Sequence, residues 1–335
     1  MAAPGQTTPV AAPRRRLVPR GLVRVVRPIG EARGFARVML YIGAGITVAF
    51  VLIAILAPLI SPYDFDQYQA NGRRFPQLAA PSSEHLMGTT VQSTDVLSRV
   101  IWGAQTELKV VVISLVFAIT VGVPLGLLSG YFGGKLDRGL VLVMDAMYAF
   151  PYLLLAIVIA FLLSNSLGKG VLTAAIAITA AYVPLYFRVV RNQVIALREE
   201  SYVEAARALG AKPFTIICKY VFHNVVQNVP PIATLNAADA ILVLTALGFL
   251  GYGIQPTDAA EWGYDISRAV SDTASGIWWT GLFPGLAIVL LVTGLTLLGE
   301  GLNETMNPVL RRRRIERVTF EQEPEAPIVE AVEGS

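Results

Sequence analysis

The chain is poor in the residues that most enzymes and small secreted domains depend on. Its 335 residues include one cysteine, Cys218, and two histidines, His85 and His223. A disulfide framework and a zinc site built from several Cys and His ligands are therefore excluded. Charge is scarce too: Asp, Glu, Lys and Arg make up 15% of the chain, where soluble domains carry about a quarter. No phosphate-binding loop is present. Gly168-Lys169 is followed by Gly170 and has Leu163 where the first glycine of G-x-x-x-x-G-K-[S/T] belongs, and Gly134-Lys135 fails in the same way. No H-E-x-x-H occurs, and no cofactor is expected in this chain. With 54% hydrophobic residues, a disordered or ordinary soluble protein is disfavoured.

The apolar residues fall into long runs. About 20 mostly apolar residues suffice to cross a bilayer as a helix. Six runs meet or approach that length: 38–60, 110–132, 139–163, 171–187, 229–253 and 280–299. The first is too long for the apolar core of a signal peptide, about 7–15 residues. An all-α integral membrane protein with six transmembrane helices follows.

The basic residues orient it. Twenty-one of the 27 Lys and Arg lie in the N-terminal tail, the connection between spans two and three, the connection between four and five, and the C-terminal tail. The opposite side has Arg73, Arg74, Arg99, Lys169 and Arg268, and Lys109 stands at the start of span two. Because Lys and Arg are retained in the cytoplasm, both termini are expected inside. The basic, Pro-containing tails are expected to lack fixed structure and to lie near the anionic membrane surface, a role preferred to nucleic-acid binding.

Outside, residues 61–100 hold two Pro-bounded aromatic runs that suggest a small packed cap. The stretch from Asp95 has apolar residues at helical spacing (Val96 with Val100, Leu97 with Ile101), expected to lie along the interface before span two. Trp262, Trp278 and Trp279 in the last outside loop have the character of membrane-belt anchors.

Two acids fall within the spans, Asp145 and Asp239. Intramembrane ionisable groups are candidates for function, and a proton-coupled secondary transporter is one reading of them. The other is that Asp145 bonds to neighbouring backbone while Asp239, with Asn236, lines a polar pore. A proton relay needs a chain of such groups, which favours the second.

The cytoplasmic segment 188–224 is the most informative. Ser201 and Glu204 have the S-x-x-E spacing of a capping box, and Tyr202 opens a run of helix formers. Gly210 stands where a left-handed residue ends a helix, and Pro213 suits the first turn of the next. Ala205 and Ala206 would leave a smooth patch able to sink into a partner's groove. A plain amphipathic connector fits the same residues.

Spacing and order together carry a resemblance. Glu204-Ala205-Ala206 with Gly210 four residues on resembles the EAA loop of ABC-importer permeases. HLMGTT at 85–90, DVLSRVIWGA at 95–104, GYFGGKLD at 130–137, AFPYLLLAI at 149–157, LGFLGYGIQP at 247–256 and LLGEGLNETMNP up to Pro308 are similar to the branch containing dipeptide and oligopeptide permease C-type subunits. The chain departs from that pattern in places: Ser93-Thr94 precede Asp95 where Gly-Arg is usual, Phe222-His223 replace Leu-Pro, and Leu244 stands near a common acidic position.

The resemblance implies a type I importer permease fold in a bacterial inner or plasma membrane. It implies a basic tail at 1–37, a first helix at 38–60, an outside loop and interfacial helix at 61–109, a permease core at 110–301 with its coupling loop at 201–223, and a second tail at 302–335. It further implies a second homologous permease, two cytoplasmic ATP-binding subunits (or one fused chain) and an extracytoplasmic substrate-binding protein. Ser201, Tyr202, Glu204, Ala205, Ala206 and Gly210 would couple to the ATPase; Asn236 and Asp239 are the candidate pore residues. Di- or oligopeptides are the implied cargo, with nickel complexes or oligosaccharides as alternatives. The chain itself would hydrolyse nothing.

Overall fold

The computed structural model describes residues 35–306. The tails expected at 1–37 and 302–335 lie mostly outside them. Where they do enter, at residues 35–37 and 302–306, the backbone is helical.

Eleven α-helices follow one another among the described residues. α1 (Phe35–Ile60) is the first span. A small outside cap follows, with a two-residue hairpin of β1 (Gln69–Ala70) against β2 (Arg73–Arg74). Asn71 and Gly72 turn it with positive φ, as hairpin turns of this length prefer. The cap has a ring core: Tyr63 and Phe75 lie 4.7 Å apart, and His85 sits 4.7 Å from Phe75. The buried His85 Nδ1 is 2.9 Å from Asp95 Oδ1, while Asp95 Oδ2 accepts from the Ser98 N–H at 2.8 Å. One aspartate thus ties the cap down and caps the next helix.

That helix, α2 (Val96–Phe132), is unbroken over 37 residues, about 55 Å long. The expected separate interfacial helix is its first turns. Val96, Ser98 and Arg99 there are buried, so this part stands inside protein rather than on the membrane surface. Gly122, Gly126 and Gly130 put α2 against α5 (Val171–Leu197) at close range: a Cβ on any of them would come within 2.8 Å of Tyr186, Phe187 or Arg191 atoms. Small residues every fourth position let two membrane helices approach backbone to backbone. α5 runs ten residues past the expected end of span four, because Val190 and Val194 keep its buried face going.

The third span is not the single helix expected over 139–163. It is two helices, α3 (Gly134–Tyr148) and α4 (Tyr152–Leu167), bent by 93°. Pro151 explains the break: a proline lacks the N–H that would continue the helix and drives the residue before it, Phe150, out of the helical region. Five other helices or helix runs are long and apolar enough to cross a membrane alone; the bent pair, counted as one span, makes six.

α6 (Ser201–Ala208) is followed by a broken run: α7 (Pro213–Ile216), a π-turn at Ile217–Val221, α8 (Phe222–Val225) and a 3₁₀ turn at Val226–Asn228. α9 (Val229–Phe249) then crosses the membrane, α10 (Trp262–Ala274) lies outside, and α11 (Trp279–Met306) returns and packs along α1.

The Trp residues depart from the belt expectation. Trp262 is wholly buried; its ring fills the space above Gly103 and its Nε1 donates to the Val100 carbonyl at 3.2 Å. Trp279 is also buried and donates to the Thr89 carbonyl. Trp278 alone of the three is exposed. Beside Trp262, Arg99 Nε donates to Asp265 Oδ1 at 2.8 Å, which locks α10 onto the outer end of α2.

Candidate coupling helix and pore-facing residues

α6 is short and lies on the side that the basic residues assign to the cytoplasm. Val203 and Ala206 are its buried residues, three apart, and they seat it on the rest of the chain. Glu204 and Ala205 face outward, as do Ser201 and Tyr202. The smooth patch expected from Ala205 and Ala206 together therefore does not form: Ala205 is at the surface and Ala206 under it.

The expected capping box is absent as well. Glu200 occupies the N-cap position and no side chain caps the helix. Ser201 has moved inside the first turn. Backbone bonds close that turn instead, with Val203 and Glu204 N–H donating to the Glu200 carbonyl at 2.9 and 3.1 Å.

The C-terminal end matches expectation in detail. Gly210 has φ +81°, a region in which a side chain is strained by about 1 kcal/mol or more. Its N–H donates to the Arg207 carbonyl, and the Ala211 N–H reaches back to Ala206, both at 3.0 Å. These two bonds together make a complete Schellman motif. Pro213 then takes the first position of α7. Tyr202 Oη accepts from Asn224 Nδ2 at 3.1 Å, tying α6 to the run leading into α9. Leu209 and Phe214, flanking the turn, are 89% and 65% exposed. Apolar side chains this open at a helix end form a surface that a partner can cover.

The candidate pore residues lie together. Tyr182 and Tyr186, one turn apart on α5, face Asn236 and Asp239, one turn apart on α9. Tyr182 Oη donates to Asp239 Oδ2 at 2.5 Å. Tyr186 Oη and Asn236 Nδ2 are buried without a hydrogen-bond partner. Both Asn236 and Asp239 are half-buried. Asp145 is elsewhere: rather than bonding to backbone, it accepts from Arg188 Nη2 at 2.8 Å, on the exposed side of α3. The two acids read as intramembrane belong to separate networks.

Tyr182 and Tyr186 escaped the sequence reading. Their i, i+4 spacing opposite an acid was legible, but nothing local marks α5 as the partner of α9. Gly122, Gly126 and Gly130 also escaped it, although the spacing is plain in the sequence.

Residues 122–312 match the family model described as binding-protein-dependent transport system inner membrane component. The chain belongs to that family. Residues 36–81 match a second model, the N-terminal TM domain of oligopeptide transport permease C. Among curated relatives, the dipeptide transport system permease protein DppC of Alkalihalophilus pseudofirmus is 38% identical over 270 residues, 81% of this chain and 86% of that protein. The glutathione transport system permease protein GsiD of Pectobacterium atrosepticum is 31% identical over 280 residues, 83% and 90% of the two chains. The probable D,D-dipeptide transport system permease protein DdpC of Escherichia coli is 32% identical over 268 residues, 79% and 86%. A solved structure of the MetNI methionine ABC transporter in inward-facing form is similar with a TM-score of 0.51 and 21% identity. It covers 62% of this chain and 96% of that one, which shows a shared fold. This permease is thus a multi-pass inner-membrane component with the type I importer architecture.

Proposed function

We propose that this permease forms half of the translocation pore of an ATP-driven importer of di- or oligopeptides. The observation that carries the cargo is the set of relatives whose names specify dipeptides, D,D-dipeptides and glutathione. All are short chains of amino acids with ionised ends. A second, homologous permease supplies the other half of the pore. ATP is hydrolysed by two cytoplasmic subunits, or one fused chain, and an external binding protein delivers the peptide.

In this reading α6 docks on the ATPase. Its ends are held by the Schellman turn at Gly210 and by the Tyr202–Asn224 bond, so a push on Leu209, Phe214 and the exposed Glu204-Ala205 edge moves a rigid piece. Asn236 and Asp239 line the path, with Tyr182 holding the Asp239 carboxylate in place.

The test is physiological and biochemical together. Disruption of the gene should make cells resistant to a toxic dipeptide analogue, and Gly210→Val should detach or uncouple the ATP-binding subunits while leaving the permease in the membrane. Unchanged analogue sensitivity with lost nickel or sugar uptake would refute the peptide cargo. Uptake driven by a pH gradient without ATP would refute the importer itself.

A further inference from the structure

Within this chain, the bend between α3 and α4 is held by polar links more than by burial. Met144 is the buried residue of α3, and Leu140, Val141 and Met147 pack against the core only partly buried. Asp137 and Asp145 lie eight residues apart on it, on one broad side, and each meets an arginine of α5.

The Asp137 link is a fork. Arg191 Nε donates to Oδ1 at 2.6 Å and Nη2 to Oδ2 at 2.8 Å, the two-point geometry that gives an Arg–carboxylate pair its directional strength. Ser129 Oγ, near the end of α2, donates to the same Oδ1. The Asp145 link is looser but better placed. Arg188 reaches Asp145 at 2.8 Å and also lies 4.0 Å over the Tyr148 ring, the last residue of α3 before the break.

Exposure ranks the two. The Arg191 and Asp137 side chains are 23% and 18% exposed, against 42% and 56% for Arg188 and Asp145. Water screens the second pair more, so its ionic part contributes little, and Arg188 acts chiefly through the Tyr148 ring.

What these links hold is a recess of about 280 Å³ at the bend, lined by Tyr148, Phe150, Pro151, Tyr152 and Ala181 among others. Ala181 precedes Tyr182, which bonds Asp239. In the other direction, α5 continues past Arg191 to Leu197 and reaches α6 after three residues. Arg198 Nη1, at that junction, donates to the Gly130 carbonyl at 3.3 Å.

We propose that Asp137, Arg191, Asp145 and Arg188 are positioning residues that make α3 and α5 one rigid body, so that a displacement of α6 reaches the aromatic recess at the bend. This rests on the coupling role of α6 given above. The clamp itself is a claim about α3 and α5 and can be read separately.

The experiment uses the assembled transporter in proteoliposomes, with Cys218→Ser as background. Spin labels on Leu142→Cys (α3) and Asn192→Cys (α5) report their separation with and without ATP. An intact clamp gives a narrow distribution that nucleotide does not change. Asp137→Asn should broaden it and lower ATP-driven peptide uptake by about tenfold, a typical size for a coupling effect, while the ATP-binding subunits stay bound. Asp137→Arg combined with Arg191→Asp should recover most of both, which a variant that merely misfolds would not do. An unchanged distribution in Asp137→Asn, normal uptake despite a broadened one, or no recovery in the exchanged pair overturns the proposal. Gly210→Val is measured alongside: if it keeps full uptake and bound subunits, the role of α6 fails, and the distance distributions still judge the clamp.

Discussion

The carboxyl groups of Glu107 and Glu261 lie against each other at the outer end of the protein, both with no exposed surface. Glu261 is the N-cap of α10, and its two oxygens accept from the Gly263 and Tyr264 N–H groups at 2.7 Å each. Glu107 comes from α2 and faces Glu261 and the Trp262 N–H, with no hydrogen bond of normal geometry to either of its oxygens. Two buried carboxylates cannot bond to each other unless one carries a proton. Gly248 of α9 packs over the pair so closely that a Cβ there would collide with Glu261. The charged groups facing it are Asp265, itself raised by burial, and the Arg99 that pairs with Asp265.

A pH dependence follows. Burial pushes Glu261 up to about 8 from its ordinary 4.5, against the pull of its two N–H bonds. A carboxyl raised on folding contributes stability that is complete below 4.5 and is lost as pH rises to about 8, by at most about 1.4 kcal/mol per pH unit. Glu107→Gln keeps a donor for Glu261 and removes the shared proton. Melting temperatures in detergent should therefore fall from pH 5.5 to 8 more steeply for the wild type than for Glu107→Gln. Parallel curves would mean that no proton is shared.

Ser93 has φ +64°, a region in which a side chain is strained. Its hydroxyl is buried without a partner. Both features oppose folding, and Ser93→Gly removes both. The loss of unfolded-state restriction offsets part of the gain, leaving a net stabilisation of about 1 kcal/mol. A rise in thermal midpoint is expected, and a fall would show that the Ser93 side chain makes a contact of value.

The α2–α5 seam should be intolerant of bulk. Gly126→Leu places a side chain where even a Cβ meets the Phe187 carbonyl at 2.8 Å. Backbone must move, at a cost of about 1–3 kcal/mol or more. Gly45→Ala on α1 is the control, since nothing lies within 4 Å of its added Cβ. Monodisperse elution in detergent should survive the second substitution and be degraded by the first.

The orientation is checked by labelling in a Cys218→Ser background, because Cys218 is itself exposed. Ser83→Cys and Thr257→Cys should react with a membrane-impermeant thiol reagent in intact cells, and Glu200→Cys should not. All three positions are exposed in the fold. Labelling of the Glu200 variant with protection of the Ser83 variant would invert the topology.

Local signals were read well where chemistry is local. Gly210 announced a left-handed helix end because few residues other than glycine rest comfortably there, and Pro213 announced the helix after it. The capping box failed one position away: Ser201 and Glu204 had the right spacing, but the chain turned at Glu200, and backbone bonds sufficed. Pro151 was in view within AFPYLLLAI, yet the hydropathy run hid the break, since apolar residues continue on both sides of a bend as readily as through a straight helix.

By itself the sequence determined that this is a membrane protein of about six spans, with its basic side inward and a helix-turn-helix facing the cytoplasm. Each of those depends on composition, periodicity or one residue's backbone preference, which neighbours distant in the chain do not alter. Tertiary structure alone decided that Trp262 is core rather than belt, that Ala206 is seat rather than surface, that Asp145 and Asp239 are separate, and that Glu107 meets Glu261 across 153 intervening positions. The reason is physical: burial and charge pairing depend on which helix faces which, and that is set by steric fit between surfaces, such as the glycine seam of α2 on α5, which no single stretch of sequence contains.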